Sequence, residues 1–298
     1  MSFGILDRDD IEYTRDYDLS GSSAIRTGGR AAVAVWPHSY FQLESCLECA
    51  ASSGMDFHPC GNMTNILFSD HGYDGMLICL SKLRGIVIKG DLLTAYAGES
   101  LDNVINRAIA HNLAGLEELG GIPGSVGGAT FCNAGAHGKE ISSYFFYSDY
   151  ITLDGRIRRM PAYSDAFSYR TSPFKDGETI ICTAFRLTPE RLTAQARQKK
   201  ERFRTQRIEG GQYKYPSLGC FFRNPPLLSA GKLIDEAGFR GFEHKGAMVS
   251  PYHANFIVNS GNATSQALYE LGEIVRNAIA RKFNIELEYE IRFLGKFD

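Results

Sequence analysis

Gly115-Leu-Glu-Glu-Leu-Gly-Gly-Ile-Pro-Gly-Ser-Val-Gly-Gly-Ala-Thr-Phe-Cys-Asn-Ala-Gly-Ala-His-Gly138 is the stretch on which the reading of this chain turns. Seven of the chain's 31 glycines fall between Gly120 and Gly138, and Pro123 fixes φ near the first turn. Ordering a glycine carries a large entropy loss, so such density marks backbone that must approach something closely or adopt positive φ. Consecutive exposed N–H groups form concave donor sets that bind phosphate without Lys or Arg. On glycine content alone two readings stand: a phosphate cradle, and a loop packed tightly on its own domain.

The totals around this stretch narrow the class. With 298 residues the chain can build two or three lobes, each with its own core. A net charge of -2 offers no concentrated positive field, so no nucleic-acid partner is expected. The longest apolar runs, such as Ala31 to Trp36 and Phe256 to Val258, are too short to span a bilayer. Met1 to Asp10 shows no basic segment followed by an apolar one, so no secretory signal is read and a cytoplasmic location is expected. Seven cysteines scattered over the chain argue for reduced thiols. Cys46 and Cys49 make a CxxC inside an amphipathic segment, with no second pair or spaced histidines, and no metal site is expected.

Residues 1–20 are polar and acidic and read as an N-terminal extension. Ala31 to Trp36 reads as a strand, followed by a helix begun by the Ser39-x-x-Gln42 capping pattern. Gly61-Asn-Met-Thr-Asn65 is a second small-polar loop, passing into an apolar strand. Short β-rich runs at Met76 to Leu80, Ile86 to Lys89 and Leu93 to Ala97 precede a helix capped by Ser100. Beyond the glycine run, Asp154-Gly155 marks a hairpin between Tyr144 to Leu153 and Arg156 to Met160, and Thr179 to Leu187 is a further strand. Arg191 to Arg207 reads as a highly charged helix with a solvated face, and Gly210-Gly211 as a domain boundary. A helix near Ala230 to Ala237, a strand from Asn255 to Val258, a helix over Ala263 to Phe283 and a last strand from Ile285 to Leu294 complete a mixed α+β chain.

Four pieces taken together carry a family resemblance: Arg26-Thr-Gly-Gly29, the run Gly115 to Glu140, Tyr169-Arg-Thr-Ser172, and Pro216-Ser-Leu-Gly-Cys-Phe-Phe-Arg-Asn-Pro225. With the closing Leu287-Glu-Tyr-Glu-Ile-Arg292 they cover nearly the whole chain after residue 20 in order and spacing. The chain resembles the UDP-N-acetylenolpyruvoylglucosamine reductases (UDP-N-acetylmuramate dehydrogenases), flavoenzymes of peptidoglycan precursor synthesis. With only about 26 residues between Thr188 and Tyr215, it is similar to the shorter of the family's two types, the one without a tyrosine lid.

The resemblance implies an α+β architecture: an FAD-binding fold of the vanillyl-alcohol-oxidase (PCMH) type in two α/β lobes, plus an α+β substrate-binding domain. Placed on this sequence, residues 21–189 would bind FAD, with the lobes divided near 80–85. Residues 190–298 would bind substrate, the final strand packing back toward the flavin site. The implied cofactor is FAD and the implied reductant NADPH or NADH. Hydride would pass to flavin N5 and then to the enolpyruvyl group of UDP-N-acetylglucosamine enolpyruvate, with a proton added at the neighbouring carbon. No obligate protein partner is implied.

The resemblance also assigns residues. FAD falls to Gly61, Asn62, Thr64 and Asn65 in the first loop and to Gly121, Ile122, Pro123, Gly124, Ser125, Gly127, Gly128, Asn133, Ala134 and Gly135 in the second. Arg170 matches the family's catalytic arginine, whose fork of donors can hold a carboxylate bidentately. Glu290 matches the second enolate-stabilising group, with Glu288 as its rival. Cys220 stands where the family usually has a serine as general acid; a thiol with a pKa near ~8.5 is mostly protonated at neutral pH and can do the same work. Ser217 is the alternative proton donor. Tyr169, Asn224 and His253 are the substrate-contact candidates. Asn62 and Met63 depart from the glycines usual in the first loop, which puts FAD affinity in question.

Overall fold

The computed structural model describes residues 3–162, 167–190 and 193–298. Two compact units interleave along the chain. The first takes the residues up to Arg15, Val33–Asn62 and Gly75–Gln206; the second takes Asp16–Ala32, Met63–Asp74 and Arg207–Asp298.

Two sheets lie wholly or mostly in the first unit. One orders the strands Glu12–Asp18, Arg30–Trp36, Tyr73–Cys79 and Phe57–Cys60 side by side, the last two parallel. The helix Tyr40–Ser52 covers it because Leu43, Cys46, Cys49 and Ala50 share one apolar face. Ser39 caps this helix, its Oγ accepting the Gln42 N–H at 3.2 Å, while Gln42 Oε1 accepts the His38 N–H at 2.7 Å. The CxxC is therefore part of a core, and burial pushes the Cys46 thiol up to about 12. The first residues are not merely polar surface: Gly4–Arg8 is helical, and Phe3, Leu6 and Ile11 join the same core. Three apolar residues so spaced give no periodic signal, yet each is buried.

The second sheet of this unit runs Ile157–Pro161, Phe145–Ile151, Thr179–Arg186, Leu92–Tyr96 and Ile86–Lys89, antiparallel throughout. Gly155, at φ 78°, turns the hairpin where Asp154-Gly155 predicts it. The helix Leu101–Ala110 buries Leu101, Val104, Ile105, Ala108 and Ile109, and Ser100 caps it by accepting the Asn103 N–H at 3.1 Å.

The second unit packs the helices Ala230–Glu236 and Ser265–Phe283 with a three-stranded antiparallel sheet of Glu243–His244, Ala247–Val249 and Ile257–Asn259. Thr264 caps the long helix, Asn284 ends it at φ 56°, and Leu268, Leu271, Val275 and Ile279 are fully buried. The expected last strand is regular only over Arg292–Leu294, which pairs parallel with Ile66–Phe68. Before it the chain changes partner: Glu288 and Glu290 bond the segment at Phe221 to Arg223, and at Arg292 the pairing passes to Asn65. That switch shortens the ladder without folding the chain back.

Candidate active site

In the first unit the glycine run is sewn to the segment before Leu101–Ala110. Gly127 and Val126 donate to the Ala97 and Glu99 carbonyls at 2.9 and 2.8 Å, and Leu101 donates to Gly124 O at 3.1 Å. Gly121 and Gly124 hold φ 78° and 137°, conformations that favour glycine. Ser125 caps the short helix Val126–Phe131, its Oγ accepting the Gly128 N–H at 3.3 Å. A β-carbon on Gly61 would lie 2.1 Å from that Oγ, and one on Gly127 would lie 2.8 Å from Ala97 Cβ. The two glycine loops therefore meet with side chains excluded, and the lining they offer is backbone. A cradle of this kind fits the diphosphate of a dinucleotide.

The departure in the first loop has a structural account. Asn62 is exposed, whereas Met63 is buried and sits at φ 51°, the left-handed conformation that glycine occupies most readily. Asn133, also left-handed at φ 45°, is fully buried and its side chain is committed to protein. Its Oδ1 accepts the Ser142 N–H at 3.0 Å and its Nδ2 donates to Ser168 O at 2.9 Å. Asn133 therefore fixes the turn that follows, where Ser168 and Thr171 exchange backbone bonds at 3.1 and 2.9 Å and present Tyr169-Arg170 at the tip. Arg170, at φ 55°, donates from Nη2 to Gly135 O at 3.1 Å, and its guanidinium lies 5.0 Å from the Tyr169 ring centre. Asn133, Gly135, Tyr169 and Arg170 are thus one assembly.

The second unit assembles the other candidates. Gly219, at φ 80°, turns the chain into Cys220. Asn255, nearly fully buried, then clamps the next residues: its Oδ1 accepts the Phe222 N–H at 3.0 Å, its Nδ2 donates to Phe222 O at 2.8 Å, and its carbonyl accepts the Phe221 N–H at 2.7 Å. On the other edge Glu290 N donates to Phe221 O at 2.9 Å, and Tyr289 stacks on Phe222 with ring centres 5.1 Å apart. Cys220 and Glu290 are therefore on neighbouring hydrogen-bonded segments. Cys220 is half-buried and packs against Met248, Phe256 and Val258. Glu288 is exposed, with Arg223 at 4.0 Å, while Glu290 is half-buried. Asn65 belongs to the same lattice: its Nδ2 donates to Glu290 O at 3.2 Å and its carbonyl accepts the Arg292 N–H at 2.9 Å.

Asn224 Oδ1 accepts the Ala230 N–H at 3.0 Å, which ties it to the start of Ala230–Glu236. His253 packs 4.5 Å from the Phe256 ring, and among the described residues its Nδ1 has no hydrogen-bond partner. Burial holds the imidazole below its ordinary pKa, with Arg240 and Arg207 adding to the effect, so it is neutral at pH 7. Sequence reasoning missed Asn255 and Tyr289. The available signal for Asn255 was a lone amide in the apolar run Ala254 to Val258, a place where a polar side chain must find partners.

Comparison with known proteins places this geometry. Residues 31–161 match the model of an FAD-binding domain, and residues 211–294 match that of the C-terminal domain of UDP-N-acetylenolpyruvoylglucosamine reductase. The molecule is an FAD-binding oxidoreductase of mixed α+β fold. The UDP-N-acetylenolpyruvoylglucosamine reductase of Caldicellulosiruptor bescii is 35% identical over 97% of this chain and 92% of that protein. That of Synechococcus is 35% identical over 94% and 90%. The crystal structure of UDP-N-acetylenolpyruvylglucosamine reductase from Thermus caldophilus superposes with a TM-score of 0.81 at 28% identity, covering 96% of this chain and 99% of that one. The chain belongs to the UDP-N-acetylenolpyruvoylglucosamine reductase family. Among the described residues no helix is long and apolar enough to cross a membrane.

Proposed function

We propose that this protein reduces UDP-N-acetylglucosamine enolpyruvate to UDP-N-acetylmuramate in peptidoglycan precursor synthesis, with NADPH as electron donor and Arg170, Cys220 and Glu290 as the catalytic residues. The observation that supports the roles of Cys220 and Glu290 is that they lie on neighbouring segments bonded from Glu290 N to Phe221 O, with Asn255 clamping Phe221 and Phe222 beside Cys220. FAD, when bound, supplies the relay of hydride from the nicotinamide to the enolpyruvyl group. The backbone of Gly61 and of Gly121 to Gly128 would hold its diphosphate, with Asn62, Thr64, Asn65 and the Asn133 to Gly135 segment as the remaining candidates.

The protein's own work is binding, charge and a proton. Arg170 presents a fork of N–H donors to the enolpyruvyl carboxylate, and its charge draws electron density toward the carboxylate as hydride arrives. Cys220 gives its Sγ proton to the carbon next to the one that accepts hydride, and solvent reprotonates the thiolate. Glu290, in its protonated form, donates a hydrogen bond to the developing enolate. Tyr169, Asn224 and His253 contact the substrate. Residues 21–189 serve as the flavin-binding part and 190–298 as the substrate-binding part, a division supported by the family matches to 31–161 and 211–294. The reaction is placed in the cytoplasm, without an obligate protein partner. Purified protein given FAD and NADPH should oxidise NADPH beyond one equivalent per flavin only when the enolpyruvyl substrate is present, and should then yield a product with the mass of UDP-N-acetylmuramate. NADPH oxidation indifferent to the substrate would reject the reading.

A further inference from the structure

The helix Thr193–Glu209 carries a lysine that a solvated face does not explain. Lys200 has a side chain only 3% exposed, although five basic residues with one acid between Arg197 and Arg204 predict a face turned to water. A buried ammonium is tolerated where its donors are all answered. Here Nζ lies 2.8 and 2.9 Å from the two carboxylate oxygens of Asp102 and donates to Asn106 Oδ1 at 2.8 Å. Both partners sit on the helix Leu101–Ala110.

The lysine's stem reaches the glycine run itself. A β-carbon on Gly120 would stand 2.8 Å from Lys200 Cγ and 3.0 Å from its carbonyl oxygen, so this glycine exists to let the lysine pass. The preceding residue of the helix makes a similar link earlier in the run: Lys199 Nζ lies 2.7 Å from Glu118 Oε1, on the turn that enters Gly120. The far end of the run is bonded, through Gly124, Val126 and Gly127, to the segment Ala97 to Leu101 that leads into Leu101–Ala110. Lys200 therefore connects the two anchors of one loop, Gly120 at its start and the helix that holds its end.

We propose that Thr193–Glu209 is a brace for the glycine run, with Lys200 as a positioning residue that sets FAD affinity by holding the run in its binding geometry before the cofactor arrives. The proposal rests on the flavin reading above. A loop whose competent form is populated only part of the time binds more weakly by that fraction, so loosening the brace raises the FAD dissociation constant and leaves catalysis by the loaded enzyme unchanged.

The test is FAD titration of apoprotein, followed by flavin fluorescence quenching, for wild type, Lys200→Met, Asp102→Asn and the double variant. Lys200→Met keeps the stem against Gly120 and removes the ammonium. The result expected is a dissociation constant raised about tenfold in each single variant, little further change in the double, and wild-type kcat at saturating FAD. An unchanged dissociation constant in a folded Lys200→Met protein overturns the proposal, even if its urea midpoint falls, because that is a purely structural role. If Lys200→Met does not fold, Asp102→Asn decides alone: Asp102 is 42% exposed and its replacement leaves the helix solvated, so unchanged FAD affinity there overturns the proposal equally. Wild-type protein that takes up no FAD refutes the flavin reading itself, a result distinct from either.

Discussion

Gly61 and Ser125 occupy a space that admits one side chain between them: a β-carbon on Gly61 would lie 2.1 Å from Ser125 Oγ and 3.2 Å from Ser125 Cβ. The hydroxyl cannot swing away without giving up the cap it provides to Val126–Phe131. Ser125→Ala should lose the cap alone, about 1 kcal/mol. Gly61→Ala should cost at least as much and also weaken FAD binding, because it forces the two loops apart. In the double variant part of the clash is gone, so thermal denaturation should show less than the sum of the single losses. Full additivity would mean the loops do not touch.

Met63 shows two opposed effects of similar size. Its left-handed φ disfavours an L-residue by about 1–2 kcal/mol. Its side chain is 7% exposed, and burial of a methionine contributes about 1.5–3 kcal/mol. Burial wins, so Met63→Gly should lower stability by roughly 1 kcal/mol once the added backbone entropy is counted. A urea titration that shows a more stable Met63→Gly protein would mean the strain dominates.

Asn255 should matter more than its distance from any reacting atom suggests. Asn255→Ala leaves the buried Phe222 N–H and C=O unanswered, a loss of about 2–3 kcal/mol, and releases the segment that carries Cys220. We expect a lowered melting temperature together with a lowered kcat. A loss of stability with normal kcat would show that Cys220 is positioned by something else.

Much of the fold was legible because period and punctuation agree. Ser39 and Ser100 cap the helices they announce, and Asp154-Gly155 turns the hairpin it predicts. The glycine run was legible as a place of close approach, but what approaches Gly61 is another part of the same chain, and no local pattern records a partner 64 positions away. Lys200 was hidden for the same reason. Composition reads its neighbourhood as surface, while the acid and amide that bury it lie on Leu101–Ala110. Residues 1–20 lacked periodicity, and among the described ones burial rests on four separated apolar side chains, Phe3, Leu6, Ile11 and Leu19. Glu290 and Glu288 could not be told apart by spacing; exposure separates them. Arg191, where the charged helix was expected to begin, lies outside the described residues.

His253 gives the pH dependence a sign. Burial depresses its folded-state pKa below the unfolded value of about 6.5. Below that pH the unfolded chain takes up a proton that the folded protein refuses, so stability present at neutral pH is lost as pH falls beneath 6.5. His253→Phe keeps an aromatic ring against Phe256 and cannot titrate. Its denaturation midpoint should fall less than that of wild type between pH 7 and pH 5.5, and parallel curves for the two proteins would contradict the assignment.

Cys220 divides the reaction into parts that can be measured separately. Cys220→Ser should retain most activity, since a hydroxyl can occupy the same place. Cys220→Ala should leave flavin reduction by NADPH intact and stall the step that consumes the enolpyruvyl substrate. Equal loss in both half-reactions would remove Cys220 from the role of proton donor.

The most direct test of the account is anaerobic absorbance of the FAD-loaded protein through one turnover. The account predicts that NADPH bleaches the flavin band and that UDP-N-acetylglucosamine enolpyruvate then restores it. A band that bleaches with NADPH and stays bleached when that substrate is added would contradict the assignment of this chain as an enolpyruvyl reductase.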